Sequence, residues 1–214
     1  MPLCYNCEGR KVDPFDLKPK DIDLEDIALR LARIHRWAAA APYTVAEHSL
    51  ACACLVRDDG FAEHVQRWAL MHDAAEAWLG DVPAPLRDGL VWIGGPSYDE
   101  AEEAILAALC RRWPILLTES TALSVGELLT TRNTVAIADQ RLRADEDDLF
   151  FGPAIPSENR RPLLCRIDPY GLRTGPEAAA RAVTTALALE KDPGPGDRRI
   201  ADLFIAHALS LGLD

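Results

Sequence analysis

An adjacent His72-Asp73 pair set in an otherwise apolar stretch is the feature that most limits how this chain can fold. Trp68, Ala69, Leu70 and Met71 precede the pair, and Ala74, Ala75, Ala77, Trp78 and Leu79 follow it, so the whole reads as a core helix. Burying polar or charged side chains costs several kcal/mol, ~2–7 for a polar group, unless a partner compensates. A metal ion is the simplest compensation. Glu76 lies four residues after His72 and three after Asp73, so on a helix all three share one wall. Gly80 suits a left-handed helix stop, which puts Asp81 at the mouth of that helix.

Upstream, Thr44-Val45-Ala46-Glu47 fits a capping box, with Thr44 as N-cap and Glu47 reaching back to it. Glu47 is therefore read as a cap rather than a catalyst. His48 then falls near the start of its own helix, where it can project toward a neighbour. Two His and one Asp are one ligand short of a sound site. Asp139 is the best remaining member, because it interrupts the apolar positions Val135, Ile137 and Leu142 before the exposed charges begin at Asp145. The ordered series His48, His72-Asp73, Asp139 is far more specific than any one of its parts.

This series resembles that of the HD-domain metal-dependent phosphohydrolases. The fuller runs Tyr43-Thr44-Val45-Ala46-Glu47-His48-Ser49 and His72 through Arg87, including Gly80-Asp81-Val82-Pro83-Ala84-Pro85, are similar to the 5′-deoxynucleotidase branch and its small phage and bacterial relatives. The likeness spans about Lys11 to Leu149. It implies an all-α HD-domain helical bundle in which His48, His72, Asp73 and Asp139 bind one divalent transition-metal cation. It implies Glu76 and Asp81 as catalytic acids. It also matches Arg36-Trp37 to an Arg that binds phosphate and a Trp that favours deoxyribose, at the end of the first helix. From the residues alone, Arg33, Arg36 and Trp37 read instead as a solvated basic edge with a packing Trp. With the resemblance, phosphate and sugar recognition is the reading, Arg36 matching better than Arg33.

The length of 214 residues suits one domain over 1–214: a core over about 21–149, a loop over 150–173 and C-terminal helices over 174–212. No apolar run reaches the length of a membrane span, and the N-terminus carries no signal-peptide pattern, so a cytoplasmic protein without membrane contact is expected. A net charge of −11 argues against a nucleic-acid polymer as partner. A small nucleotide is compatible with it, because a bound cation and a few Arg invert the potential locally. Of six cysteines, Cys4 and Cys7 form a C-x-x-C with no second ligand pair after it, and read as reduced thiols. Cys52, Cys54 and Cys110 read as small hydrophobes, and Cys165 lies in a loop.

Along the chain, the Pro-punctuated residues 1–20 predict an irregular or hairpin-like segment. Asp23 caps a first helix with the stripe Leu24, Ile27, Ala28, Leu31 and Ile34. A second helix is expected from Val45 to Arg57 and a third from Phe61 to Leu79, with His64 exposed near its start. Ser97 and Glu100 form a second capping box opening a helix to Arg112. A helix from Ser124 to about Leu149 carries Asp139, and its run Asp145-Glu146-Asp147-Asp148 reads as a solvated face. Further helices are expected from Gly175 to Lys191 and, after a short linker, over the stripe Ile200, Leu203, Phe204, His207 and Leu211, with His207 packed.

The implied chemistry is hydrolysis of phosphate from 5′-nucleotides, with deoxyribose preferred, as a 5′-deoxynucleotidase or a deoxynucleoside triphosphate triphosphohydrolase. Zn, Co, Mn, Ni and Fe all suit such a ligand set. Spacing leaves the general base open between Glu76 and Asp81. Rival readings are an HD-type hydrolase of a cyclic dinucleotide or guanosine alarmone, and a non-catalytic nucleotide sensor, whose mark would be loss of Glu76 or Asp81. The family resemblance also implies a homo-oligomer, commonly a dimer.

Overall fold

The computed structural model describes residues 4–6, 9–117, 125–151 and 196–214. Its described part is all-α, apart from a small antiparallel pair, β1 (Cys4–Tyr5) with β2 (Lys11–Val12), in register Cys4 to Val12. The hairpin-like N-terminus is thus as expected. Asp23 accepts from the amides of Glu25 and Asp26 and opens α1 (Leu24–Leu31), whose Ile27, Ala28 and Leu31 are buried. Thr44 caps α2 (Val45–Asp58) with the reciprocal Glu47 box, and Ser97 caps α6 (Tyr98–Arg112) in the same way with Glu100. Each such cap contributes about 1 kcal/mol.

Helix α2 is buried almost all round, from Val45 to Val56, which makes it the central helix of the bundle. It packs against α1, α3 (Glu63–Met71), α7 (Val125–Phe151) and α8 (Gly196–Ser210). One cluster of buried apolar residues reaches from Val12 to Leu213, so the core also takes in the N-terminal segment and α8. The C-terminus is tied down by Arg67 Nε donating to Leu211 O at 2.6 Å and Trp113 Nε1 donating to Asp214 O at 2.7 Å.

Four expectations are corrected. The first helix stops at Leu31, so Arg36 and Trp37 do not sit at its end. They lie in a narrow loop closed by an isolated bridge between His35 and Thr44 and by Arg36 N donating to Tyr43 O. Trp37, Ala38 and Ala39 there all take positive φ, between 51° and 62°, a conformation that costs a non-glycine residue about 1–2 kcal/mol. The expected helix from Phe61 to Leu79 is broken: α3 ends at Met71, and α4 (Glu76–Leu79) begins after a tightened turn. His64 is half-buried rather than exposed. Finally, α7 runs through Phe150 and Phe151, so the expected loop cannot start at 150. Cys7, Cys165, the rest of the loop to 173 and the helix expected from Gly175 to Lys191 lie outside the described residues. No described helix is long and apolar enough to cross a membrane.

Candidate metal centre

The break at His72-Asp73 is what builds the site. Across it the backbone bonds run i to i−3: Ala74 to Met71, Glu76 to Asp73, Ala77 to Ala74 and Trp78 to Ala75, at 3.0–3.2 Å. In such a turn, residues three apart eclipse one another. Asp73 and Glu76 therefore stack on one side, and both line the same cleft. Gly80 at φ 79° then turns the chain so that Asp81, Val82 and Pro83 also line the cleft, ahead of the short α5 (Ala84–Arg87). Tyr98 on α6 holds this corner, its hydroxyl donating to Gly80 O at 2.9 Å.

His48 on α2, His72 at the break and Asp139 on α7 each offer a ligand atom, and all three atoms lie within 4.8 Å of one another. Asp73 Oδ2 lies 3.7 Å from His48 Nε2 and 3.3 Å from His72 Nε2, while also pairing with Arg36 Nη1 at 3.3 Å. The tautomers of both imidazoles follow from their outer partners. His48 Nδ1 meets Glu146 Oε1 at 2.6 Å, and His72 Nδ1 meets Ala69 O at 2.7 Å. A carboxylate and a carbonyl only accept, so both Nδ1 atoms carry hydrogens and both Nε2 lone pairs face the cluster.

Those lone pairs are the test of whether a cation fits. His48 Nε2, His72 Nε2, Asp139 Oδ1 and Glu76 Oε2 are all shut away from solvent without a hydrogen-bond partner. His48 Nε2 and Asp139 Oδ1 sit 3.0 Å apart, two acceptors facing each other. Buried acceptors brought together this way repel unless a proton or a cation lies between them. The two imidazoles with Asp139, and with Asp73 at 3.3 and 3.7 Å from them, are a donor set that divalent transition metals accept. The residues fit the group.

Without a cation, a proton takes its place. Burial and Arg36 push His48 down, but Glu146 and Asp139 outweigh them and it is pushed up to about 9. Burial would raise Asp139, yet His48 holds it well below the usual carboxylate range. A metal must displace the His48 proton. Apparent metal affinity is therefore expected to rise about tenfold per pH unit until near pH 9 and then level off. Competition titrations against a chelator of known affinity measure this, and a flat profile would remove His48 from the displaced set.

The cleft beside the cluster has a volume of about 290 Å³. Four carboxylates (Asp73, Glu76, Asp81 and Asp139) face three guanidinium groups (Arg36, Arg87 and Arg143) across it. Burial pushes Glu76 well above the usual carboxylate range, with Asp73 and Asp81 adding to the shift. Burial also raises Asp81, which Arg36 opposes. Trp37 lines the cleft and packs edge-on against Phe151 at 5.5 Å.

The nine residues expected from sequence thus fall into two groups. His48, His72, Asp73, Asp139, Glu76, Asp81, Arg36 and Trp37 are brought together around the cluster and its cleft. Arg33 is not: it is exposed and pairs with Asp197 at 2.9 Å. Arg36 is no solvated edge either, being 4% exposed and bonded through Nε to Glu146 and through Nη1 to Asp73. Glu146, which in sequence belongs to a solvated acidic face, is instead fully buried and bonded to both His48 and Arg36. Its signal in the sequence is its spacing: it lies seven residues, two helical turns, after Asp139. Arg87 and Arg143 carried no sequence signal of comparable kind.

Fold and site together define an all-α protein with a partly buried His–Asp cluster able to hold a metal ion beside an Arg-rimmed cleft. No family model matches the chain. It is similar to the uncharacterized protein RCAP_rcc00048 of Rhodobacter capsulatus, 31% identical over 182 residues that cover 80% of this chain and 87% of the relative. It is also similar to the uncharacterized protein YfdR of Escherichia coli, 34% identical over 137 residues that cover 63% of this chain and 68% of the relative. The chain belongs to the family of these two proteins.

Proposed function

We propose that this protein is a metal-dependent phosphohydrolase acting on 5′-nucleotides, with deoxyribose preferred. One observation carries the reading. Ligand atoms of His48, His72 and Asp139 lie within 4.8 Å of one another, with buried acceptors left unpartnered, beside a cleft lined by Glu76 and three guanidinium groups. That combination suits a cation and a phosphate together, since a dication tips the cleft's lining from negative to positive. The HD-type order of His48, His72-Asp73 and Asp139 supports the same reading.

His48, His72, Asp73 and Asp139 would hold the cation, which when bound supplies Lewis-acid polarisation of water and of a phosphoryl oxygen. Glu76 takes the proton of the attacking water as the new P–O bond forms. As the bond between phosphorus and the leaving oxygen breaks, that oxygen needs a proton, and Asp81 at the rim delivers it. Arg36 contributes from the cleft wall, fixing Asp73 and Glu146 and adding positive charge near the phosphate. Trp37 presents its ring to the sugar. A hydroxyl buried without a partner costs about 1–3 kcal/mol, so roughly ten- to a hundredfold preference for deoxynucleotides follows.

The purified protein is expected to carry close to one divalent ion per chain and to release phosphate from 5′-deoxynucleoside monophosphates. Elemental analysis and product chromatography over a nucleotide panel test both points. Absence of any hydrolysis by the metal-loaded protein, across mono-, tri- and cyclic nucleotides, would sink the reading. Trp37→Ala is expected to narrow the gap between sugars, mainly by improving kcat/KM for ribonucleotides. Equal kcat/KM for both sugars in the unmodified protein would show that Trp37 does not read them.

A further inference from the structure

The three guanidinium groups of the cleft differ in how far they are already engaged. Arg36 is buried and holds Glu146 through Nε and Asp73 through Nη1. Arg87 donates through Nη2 to Glu102 at 2.6 Å and Asp99 at 3.3 Å, and its guanidinium lies over the Tyr98 ring at 4.7 Å. Each of these two is fixed by a pair of carboxylates. Arg143 is different. It sits one turn beyond Asp139 on α7, its side chain is 51% exposed, and its Nη2 lies 3.9 Å from Asp139 Oδ2. That distance is beyond a hydrogen bond.

A half-exposed guanidinium in this position keeps its donors for an incoming ligand. It projects from the same face of α7 as a candidate metal ligand, which brings its charge to the cation side of the cleft. Its planar fork matches two oxygens of a phosphoryl group better than an ammonium does. Its engagement would also leave the buried Arg36 network undisturbed.

We infer that Arg143 is a substrate-binding residue that takes the phosphoryl oxygens of the nucleotide. The inference rests on the phosphohydrolase reading above and assigns the phosphate grip to a residue which that reading left unused. A half-exposed helix-surface position tolerates substitution, so the variants Arg143→Gln and Arg143→Lys should both fold.

The test uses the full chain, metal-loaded, with inorganic phosphate as the calorimetric probe and 5′-dAMP as the kinetic one. Arg143→Gln is expected to keep its metal content while phosphate Kd and dAMP KM rise about ten- to a hundredfold, with kcat changing much less. Arg143→Lys, which keeps the charge but not the fork, is expected to fall between the two. Hydrolysis by the unmodified protein with unchanged KM and Kd in Arg143→Gln would overturn the inference and leave the phosphohydrolase reading standing. No phosphate binding and no hydrolysis by the unmodified protein would overturn both. Loss of metal from Arg143→Gln would assign the residue to holding Asp139 instead, and would equally overturn the inference.

Discussion

Glu76→Gln is expected to keep its metal and its fold while kcat falls by about two to four orders of magnitude. Glu76 opens α4, is 6% exposed, lines the cleft and keeps Oε2 buried without a partner, yet it is surplus to the four candidate ligands. Burial, then the neighbouring Asp73 and Asp81, push its carboxyl well above the ordinary value of 4.5. The folded chain therefore binds that proton more tightly than the unfolded chain does. Stability from this group is complete below the unfolded value and is lost as pH rises toward the folded one. At neutral pH, without metal, the site works against the fold, and an uncharged isostere relieves it. The same Glu76→Gln variant should thus melt at a higher temperature than the unmodified protein when both are held in chelator. A slower but more stable variant is the signature of a group kept for chemistry rather than for packing. Should the variant lose its metal with native circular dichroism, Glu76 is a ligand and Asp81 becomes the leading base.

The parts of the structure legible in the sequence are those governed by near neighbours. Asp23, Thr44 with Glu47, and Ser97 with Glu100 each declare a helix start within four residues, and all three cap helices in the structure. Asp139 stands out because it interrupts the apolar positions Val135, Ile137 and Leu142, of which Val135 and Leu142 are core residues. The break at His72-Asp73 was not legible, for a physical reason. His72 and Ala75 on either side of it keep right-handed helical angles, φ −62°, ψ −35° and φ −61°, ψ −28°, so apolar periodicity passes through it almost unchanged. Only the hydrogen bonds tighten, and composition does not report those. The left-handed turn at Trp37, Ala38 and Ala39 is invisible for the opposite reason, since alanine is a strong helix former and four of them follow Trp37. Tertiary packing overrode propensity there, with the loop pinned by His35 to Thr44 and Arg36 drawn inward.

Glu146 is the sharpest case of a residue hidden by its neighbours. Flanked by Asp145 and by Asp147-Asp148, it reads as one more solvated charge, yet it turns into the core. Two cations set its value there: burial would raise its carboxyl, but His48 and Arg36 hold it below the usual range. It then does two things at once. It takes the Nδ1 hydrogen of His48 at 2.6 Å, which turns Nε2 toward the cluster, and it takes Arg36 Nε at 3.2 Å, which holds Arg36 against Asp73.

Removing the carboxylate and removing only its charge should therefore give different results. Glu146→Ala leaves His48 Nδ1 without its acceptor and Arg36 with one carboxylate instead of two in a buried setting. Breaking such a pair costs about 3–5 kcal/mol, a large share of the stability of a domain this size. A strong fall in melting temperature is expected. Glu146→Gln keeps the shape and one acceptor oxygen, so the fold should survive with His48 still oriented. The charge that raises the basicity of His48 is gone, however, and outer partners of metal-binding imidazoles commonly contribute ten- to a hundredfold in affinity. Metal affinity of Glu146→Gln at neutral pH is accordingly expected to drop by about that factor. Competition with a chelator measures it, alongside a melting curve to show that the fold is intact. A folded Glu146→Gln protein that binds metal as tightly as the unmodified one would mean that Glu146 only packs the core, and that His48 is oriented by α2 alone.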